Sequence, residues 1–178
     1  MAALPDLITV EQFRQLPEGG ELTYELHHGE VVALTRPKAR HERLQLQLRR
    51  LLERNLKSFG EVTTEMAYRA VAEFDLRAAD IAVVSWERWK AADLDDNLRG
   101  APDLMIEVLS PSNTRRQLQE LVTLCLLNGS VECWLVDPWK QSVTVFTRGA
   151  ASAVYSSGAS VPLARFGAGD LAIDEIFA

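Results

Sequence analysis

The chain has 178 residues, of which 47% are hydrophobic, and this size suits one globular domain whose core needs no disulfide bonds. Its formal net charge of −6 argues against a protein devoted to non-specific nucleic-acid binding, because attraction to phosphates supplies most of that affinity. The sequence has no apolar run of membrane-helix length, and Pro5 and Asp6 stand where a secretory signal would be apolar, so we expect a cytoplasmic protein.

The charges are unevenly distributed along the chain. Eight basic residues and two acidic residues lie between positions 36 and 57, whereas acids collect between 87 and 96 and near the C-terminus. This basic segment indicates either a nucleic-acid-binding face or an ordinary solvated helix surface. Cys125 and Cys133 lack the short paired spacing of a zinc site and are predicted to be core thiols.

The N-terminal third predicts a short helix, a hairpin and a long helix. Thr9 is a plausible N-cap for a helix over residues 8–16, with Gln12 completing a capping box. A turn at 18–20 then leads to two strands, 22–26 and 30–34, which form a hairpin. From His41 to Phe59, leucines recur at helical spacing and Gly60 stands where a C-cap is expected. His41 itself is expected to be a capping or surface histidine.

The middle of the chain predicts strands at 61–72 and 80–85, a charged connector at 86–98, and a buried strand at 104–109 that stops before Pro111. Ser112 or Asn113 then caps a second helix, about 114–127, which is apolar on more than one face and should pack on both sides. Strands at 131–136 and 142–146 follow, joined by a turn at 137–140, and the remainder holds a short strand or two and a final helical turn. Together these elements predict a single mixed α/β domain, residues 1–178, with a central sheet between two principal helices.

Acidic residues on the predicted strands are the strongest chemical signal. Glu107 lies within an apolar strand, where an unpaired carboxylate costs several kcal/mol, and Glu25, Asp80 and Asp103 lie on or beside other strands. Two neighbouring strands can bring Asp80 and Glu107 together, and like charges that close need a cation between them. Oxygen ligands without His or Cys suit Mg²⁺ or Mn²⁺, which assist phosphodiester hydrolysis in nucleases.

Other chemistries are poorly supported, and a structural explanation of the acids stays open. No phosphate-binding glycine loop follows a predicted strand, and Ser110 lacks the flanking glycines of a hydrolase nucleophile. Asp80 could instead be a strand-edge acid, Asp103 a turn residue, and Glu107 a core acid paired with an arginine such as Arg69.

Several motifs in order resemble the Uma family of restriction-endonuclease-like proteins, common in bacteria. They are Tyr-Glu-Leu-His-His-Gly-Glu at 24–30, His41 opening a Leu-rich helix, Asp-Ile-Ala-Val-Val at 80–84, Ala-Pro-Asp-Leu-Met-Ile-Glu-Val-Leu-Ser-Pro-Ser at 101–112, and Val-Glu-Cys-Trp-Leu-Val-Asp-Pro at 131–138. That family is similar in fold to the PD-(D/E)XK nucleases. The resemblance implies a four-stranded mixed core sheet flanked by helices, with Asp80 as the metal-binding Asp, Glu107 as the second acid and Glu25 as an additional acid.

The sequence lacks the lysine side chain of the family pattern. The superfamily lysine would stand two residues after the second acid, at Leu109, and the lysine that the Uma pattern places on the following helix falls on Leu121. Ala79 also replaces a proline before Asp80. Gln117, one turn before Leu121, could orient a water instead, and Arg115 or Arg116 could reach the site entrance or be ordinary surface charges.

These observations predict a Mg²⁺- or Mn²⁺-dependent DNA phosphodiesterase, slow or degenerate without the lysine. The alternative is a non-catalytic scaffold that binds nucleic acid or a protein partner. We expect DNA contacts from the basic residues near the site, no membrane association, and a homodimer, because nucleases that cut two strands often pair. The predicted contact residues are Arg36, Lys38, Arg40, His41, Arg115 and Arg116.

Overall fold

The computed structural model describes residues 7–17, 23–34 and 36–178. In these ranges the helices are Val10–Phe13 (α1), Ala39–Asn55 (α2), Trp86–Ala91 (α3), Arg115–Leu127 (α4) and Ile173–Ile176 (α5), with a 3₁₀ turn at Ala164–Phe166. The strands are Thr23–His27 (β1), Glu30–Leu34 (β2), Gly60–Arg69 (β3), Arg77–Ser85 (β4), Leu98–Arg99 (β5), Leu104–Val108 (β6), Glu132–Asp137 (β7), Ser142–Thr147 (β8), Ala153–Tyr155 (β9), Ser160–Pro162 (β10) and Asp170–Ala172 (β11).

One large mixed sheet organises the protein, and its strand order is β5-β3-β4-β6-β7-β8-β9. The strands β6 and β7 are parallel, as are β3 and β5, whereas the other neighbours are antiparallel. The four central strands β3, β4, β6 and β7 fit the core that the family resemblance implied, and β5, β8 and β9 extend it at both edges. The prediction of a mixed α/β domain with a central sheet is confirmed.

The two long helices cover opposite faces of this sheet because side chains alternate along its strands. Ile81 and Val83 of β4 share one buried cluster with the leucines of α2. Ala82 and Val84 share a second cluster with residues of α4, including Cys125. Both cysteines are fully buried, as predicted. Within the described ranges, no helix combines the length and apolar character needed to cross a bilayer.

The N-terminal helix forms but covers only Val10–Phe13 rather than the predicted residues 8–16, and the hairpin forms as predicted. Thr9 and Gln12 make the capping box of α1. The strands β1 and β2 pair with His27 opposite Glu30, which leaves His28 and Gly29 as a two-residue turn with φ of 49° and 83°. Positive φ at both positions is typical of the type I′ turns that match strand twist. The turn predicted at 18–20 and the first residue of the predicted strand at 22 lie outside the described residues.

The structure corrects the end of the first long helix. The helix α2 begins after Lys38 and ends at Asn55, where the Leu56 N–H closes the last turn onto the Leu52 carbonyl. Gly60 is therefore not a C-cap but the first residue of β3. A Cβ at Gly60 would collide with the Val84 carbonyl of the paired strand, so glycine is needed here for close backbone approach.

The second long helix differs from prediction in its N-cap and in its packing. Its N-cap is Thr114, rather than Ser112 or Asn113, and Thr114 makes a capping box with Gln117. Ser110 and Asn113 instead bond to each other in the preceding turn. Gln119, Thr123 and Leu127 form an exposed stripe along α4, and Leu127 is 68% exposed, so the helix packs on one face and the prediction of packing on both sides is wrong. Beyond β8 the chain adds three short strands rather than one or two.

Candidate metal centre

Asp80 and Glu107 come together because the strands that carry them are neighbours. The antiparallel pairing of β4 with β6 runs from Val83↔Leu104 to Ile81↔Ile106. The next residue on each strand is therefore Asp80 on β4 and Glu107 on β6. The two acids therefore stand opposite one another just beyond the last pair of the ladder, and the charge of Asp80 contributes to the raised pKa of Glu107.

Three hydrogen bonds hold the Asp80 carboxylate. Oδ2 accepts from the Val108 backbone N–H at 2.7 Å and lies 3.0 Å from the His41 Nε2. Oδ1 accepts from the Gln45 side-chain amide at 3.1 Å. His41 was expected to be a capping or surface histidine, but Lys38 is the N-cap and the His41 side chain is only 16% exposed. Burial opposes protonation of His41, but the bond to Asp80 and its charge outweigh that effect and raise the pKa of His41.

Glu65 is a third acid at this point, and it is absent from the sequence-based prediction. It lies on β3 between the pairs Thr64↔Ile81 and Met66↔Ala79, which places it opposite Asp80. Its φ of 52° is in the left-handed region, which costs a non-glycine residue free energy in the middle of a strand. Partial burial and the charge of Asp80 raise the pKa of Glu65, although a hydrogen bond from Gln45 at 2.5 Å opposes this.

Glu25 reaches the centre from the hairpin. One of its carboxylate oxygens accepts from the Ala78 backbone N–H at 2.8 Å, two residues before Asp80. The other lies 2.6 Å from the His27 Nε2. The hairpin is also joined to the chain ahead of β4 by a reciprocal backbone bridge between Leu26 and Leu76. The structure thus places Glu25 beside β4, as an additional acid near Asp80.

Glu107 is surrounded by protein atoms yet keeps partial access to solvent. Burial is the largest cause that raises the pKa of Glu107 well above its ordinary value, and the charges of Asp80, Glu25 and Glu65 raise it further. The alternative that Arg69 neutralises Glu107 is wrong. Arg69 is buried and bonds to Glu11, to Asp96 and to the Ala72 carbonyl.

The donor set fits a hard divalent cation that retains water ligands. Four carboxylates meet at the centre, from Glu25, Glu65, Asp80 and Glu107. The negative charges of Asp80 and Glu25 raise the pKa values of Glu65 and Glu107. Within 7–17, 23–34 and 36–178, no three or more His, Cys, Asp or Glu side chains are already spaced to hold a metal ion. Mg²⁺ commonly takes only one or two protein carboxylates and completes its shell with water and substrate phosphates, so the pair Asp80 and Glu107 matches that chemistry.

The other predicted residues lie around the centre. Arg36, Lys38 and Arg40 are exposed and immediately precede His41. Arg115 and Arg116 are exposed at the start of α4. Asp103 lies at the opposite end of β6 from Glu107, where it accepts from the Ser85 N–H and from Arg88, as a turn residue would.

Helix α4 presents no lysine to the acids. Gln117 is exposed, and its Oε1 accepts from the Thr114 backbone N–H and hydroxyl in the capping box. Leu121 is half-buried in the same cluster as Cys125, one turn further along, and the Cys125 thiol is close enough to affect the pKa of Glu107. The side chain at position 121 therefore occupies the face of α4 that is directed toward Glu107.

Sequence reasoning missed Glu65 and Gln45, and each left only a weak signal. Glu65 interrupts an otherwise regular strand, but its place opposite Asp80 depends on the β3–β4 register. Gln45 lies on the leucine-rich face of α2, four residues after His41, and is only 6% exposed. A polar residue on an apolar helix face signals a buried partner, but the partner cannot be named without the fold.

Comparisons with known proteins identify a family and a similar solved structure. No curated protein matches the chain. A crystal structure described as a putative nuclease belonging to DUF820, from Anabaena variabilis, superposes with a TM-score of 0.80 at 25% identity and covers 96% of this chain and 97% of its own. The model of the Uma2 family, described as "Putative restriction endonuclease", matches residues 10–172. The chain therefore belongs to the Uma2 family of restriction-endonuclease-like proteins.

Proposed function

We propose that the protein is a divalent-metal-dependent DNA endonuclease that hydrolyses phosphodiester bonds. The observation that carries this proposal is the placement of Asp80 and Glu107 as the first residues beyond the last pair of the β4–β6 ladder. Membership of a family described as restriction endonucleases, and the likeness to a protein described as a nuclease, support the same reaction class.

In this proposal Asp80 and Glu107 hold one Mg²⁺ or Mn²⁺ ion. When bound, such an ion would polarise a phosphodiester and lower the pKa of a bound water. The chain's own residues hold the ligands in place: the Val108 N–H fixes one Asp80 oxygen, and Glu25, bonded to the Ala78 N–H, adds negative charge that favours cation binding. The neighbouring negative charges of Asp80, Glu25 and Glu65, which contribute to the raised pKa of Glu107, would favour a cation at the same place.

The DNA would approach over the start of α2. Arg36, Lys38 and Arg40 are exposed there, next to His41, whose ring contacts Asp80. Within the described ranges no carboxylate forms an ion pair with these three residues, whereas Arg49 and Arg54 pair with Glu53 and Glu175. Local positive charge beside the acids would attract phosphates despite the net charge of −6. Arg115 and Arg116 would contact DNA from α4.

A non-catalytic scaffold that binds nucleic acid is the second candidate, and Leu121 favours it. An apolar side chain on the helix face directed toward Glu107 cannot stabilise the charge that develops on the phosphate. In addition, Gln117, the predicted substitute, already uses its Oε1 in the capping box. Both candidates predict DNA binding, so cleavage distinguishes them.

The test is incubation of supercoiled plasmid and single-stranded DNA with the protein in Mg²⁺ or Mn²⁺. We expect the wild type to nick plasmid and Glu107→Ala to fall to background. Leu121→Lys should raise the rate about 100-fold, the lower end of the effect of one donor aimed at charge that develops in the transition state. Conversion of plasmid directly to linear product would support a homodimer that cuts both strands.

Glu30→Ala, an exposed acid at the hairpin turn, is the control that should nick like the wild type. Nicking that persists in Glu107→Ala would contradict the metal site. Plasmid binding without any cleavage, in the wild type and in Leu121→Lys alike, would favour the scaffold.

A further inference from the structure

Two side chains of helix α2, one turn apart, hydrogen-bond to the two oxygens of the Asp80 carboxylate. His41 and Gln45 are four residues apart, so they lie on the same face of the helix. The His41 Nε2 lies 3.0 Å from Oδ2, and the Gln45 Nε2 donates to Oδ1 at 3.1 Å. Because a carboxylate accepts but does not donate, the Nε2 of His41 carries the proton in this bond.

Burying these two polar side chains costs free energy, and the packing of α2 does not explain why polar residues stand at these positions. Gln45 is only 6% exposed and lies on a face otherwise formed by Leu44, Leu48 and Leu52. The His41 Nδ1 is buried and has no hydrogen-bond partner in the described part of the chain. An apolar residue at either position would avoid these polar burials, so the contacts with Asp80 account for the residue types.

Gln45 also couples Asp80 to Glu65. The same Nε2 also lies 2.5 Å from the Glu65 Oε1 and 3.0 Å from the Asp80 backbone carbonyl, so its two hydrogens serve three acceptors and one hydrogen is shared. Gln45 therefore bridges β3 and β4 at the position of Glu65, where the backbone is left-handed. One amide thus sets the separation of two carboxylates that would otherwise repel each other.

We propose that His41 and Gln45 are positioning residues that fix the orientation of Asp80 for binding of a divalent cation. This inference rests on the proposed function, because it assigns the two residues to the same metal centre. Hydrogen bonds to a ligating carboxylate hold it in one rotamer, so less conformational freedom is lost when the cation binds.

The experiment is calorimetric titration of the full chain with MnCl₂, which reads metal binding without any cleavage assay. We expect His41→Ala and Gln45→Ala each to weaken Mn²⁺ binding about 10- to 100-fold, the range typical of residues that orient a metal ligand. His41→Gln should recover much of the affinity, because its amide can place a donor near the position of Nε2. Crystals of Gln45→Ala should show Asp80 in a different or mixed rotamer.

Gln47→Ala is the matched control, since Gln47 lies on the same helix but donates to the Glu175 carbonyl. It should bind Mn²⁺ as the wild type does. Thermal melts of each variant verify that the fold is retained, and affinities are compared only among folded variants, with His41→Gln standing in if His41→Ala fails to fold.

The outcomes separate the two proposals. A wild type that binds no Mn²⁺ overturns the metal-dependent function and the positioning role with it. A wild type that binds Mn²⁺, with folded His41→Gln, His41→Ala and Gln45→Ala variants of unchanged affinity, overturns the positioning role alone. An equal loss in Gln47→Ala would also overturn it, because the effect would then belong to the helix rather than to these contacts.

Discussion

Arg77 donates to both carboxylate oxygens of Glu120, each at 2.9 Å, and this ion pair joins β4 to α4. Arg77 is only 3% exposed and bonds to the fully buried Asp75 on its other side. The pair lies three residues before Asp80, so it fixes the strand that carries the candidate metal ligand against the helix that carries Leu121.

Glu120→Ala should destabilise the protein by about 1 to 2 kcal/mol, because the buried guanidinium of Arg77 loses one of its two carboxylate partners but keeps Asp75. The matched control is Glu53→Ala, which breaks the exposed pair of Arg49 with Glu53 and should cost under about 0.5 kcal/mol. Urea unfolding followed by circular dichroism measures both. Equal losses in the two variants would show that the Arg77 pair has no special role.

Glu107→Gln should stabilise the metal-free protein at neutral pH, because the raised pKa of Glu107 means that the fold disfavours the charged form that the unfolded chain carries at this pH. Burial and three neighbouring carboxylates disfavour the charged form of Glu107, and glutamine removes that charge at nearly constant volume. Thermal melting in EDTA measures the change, with the exposed Glu30→Gln as control. A lower melting temperature for Glu107→Gln would mean that the carboxylate has a stabilising partner.

Lowering the pH should weaken the ion pairs that Asp96 makes with neighbouring arginines. The hydrogen bond from Arg14, with the charges of Arg99 and Arg69, holds the pKa of Asp96 well below its ordinary value of 3.8. A lowered folded-state pKa contributes stability that is fully present above 3.8 and is lost as the pH falls toward the folded value. Asp96→Asn should therefore cost about 1 to 2 kcal/mol at neutral pH.

The same variant should flatten the acid limb of the stability curve. Between about pH 4 and about pH 2 the wild type should lose more unfolding free energy than Asp96→Asn, as measured by urea unfolding at each pH. Parallel curves for the two proteins would contradict the assignment of the lowered pKa to Asp96.

If the proposed function holds, DNA affinity should depend on Arg36 and Arg40, near the candidate metal centre, more than on the arginines further along α2. Replacing Arg36 and Arg40 with Gln should weaken binding and reduce the salt slope by about 1 for each residue. Replacing Arg49 and Arg54 with Gln gives the same change in net charge but removes arginines already paired with acids, so the slope should change little. Fluorescence anisotropy at several salt concentrations measures the affinity of both variants. Equal salt slopes for the two variants would mean that the DNA does not bind over Arg36 and Arg40.

The sequence could predict Asp80 and Glu107 as a pair because an acid in an apolar strand is costly and therefore informative. It could also predict α1, the hairpin and the mixed sheet, since capping boxes, turn glycines and apolar periodicity are local signals. Helix ends were less predictable: Gly60 marks a close strand contact, and only the folded position of Val84 reveals this.

The rest of the centre depends on tertiary register. Glu65 joins the acids because β3 pairs with β4 at one particular offset, and its left-handed backbone has no sequence signature in a glutamate. His41 resembles a surface residue until α2 is packed on the sheet. Arg69 was a reasonable partner for Glu107 by composition, but the fold directs it to Glu11 and Asp96.

The acids of the centre come from two sheets that we expect to differ in local stability. Glu25 belongs to a separate two-stranded sheet, whereas Asp80 and Glu107 extend from the middle of the large sheet. Small sheets open more readily than central strands, so amide hydrogens of β1 should exchange with solvent faster than those of Ile81 and Ile106. Each such opening would separate the Glu25 carboxylate from the Ala78 N–H while Asp80 and Glu107 remain on β4 and β6, so the negative charge at the centre would depend on the state of the hairpin.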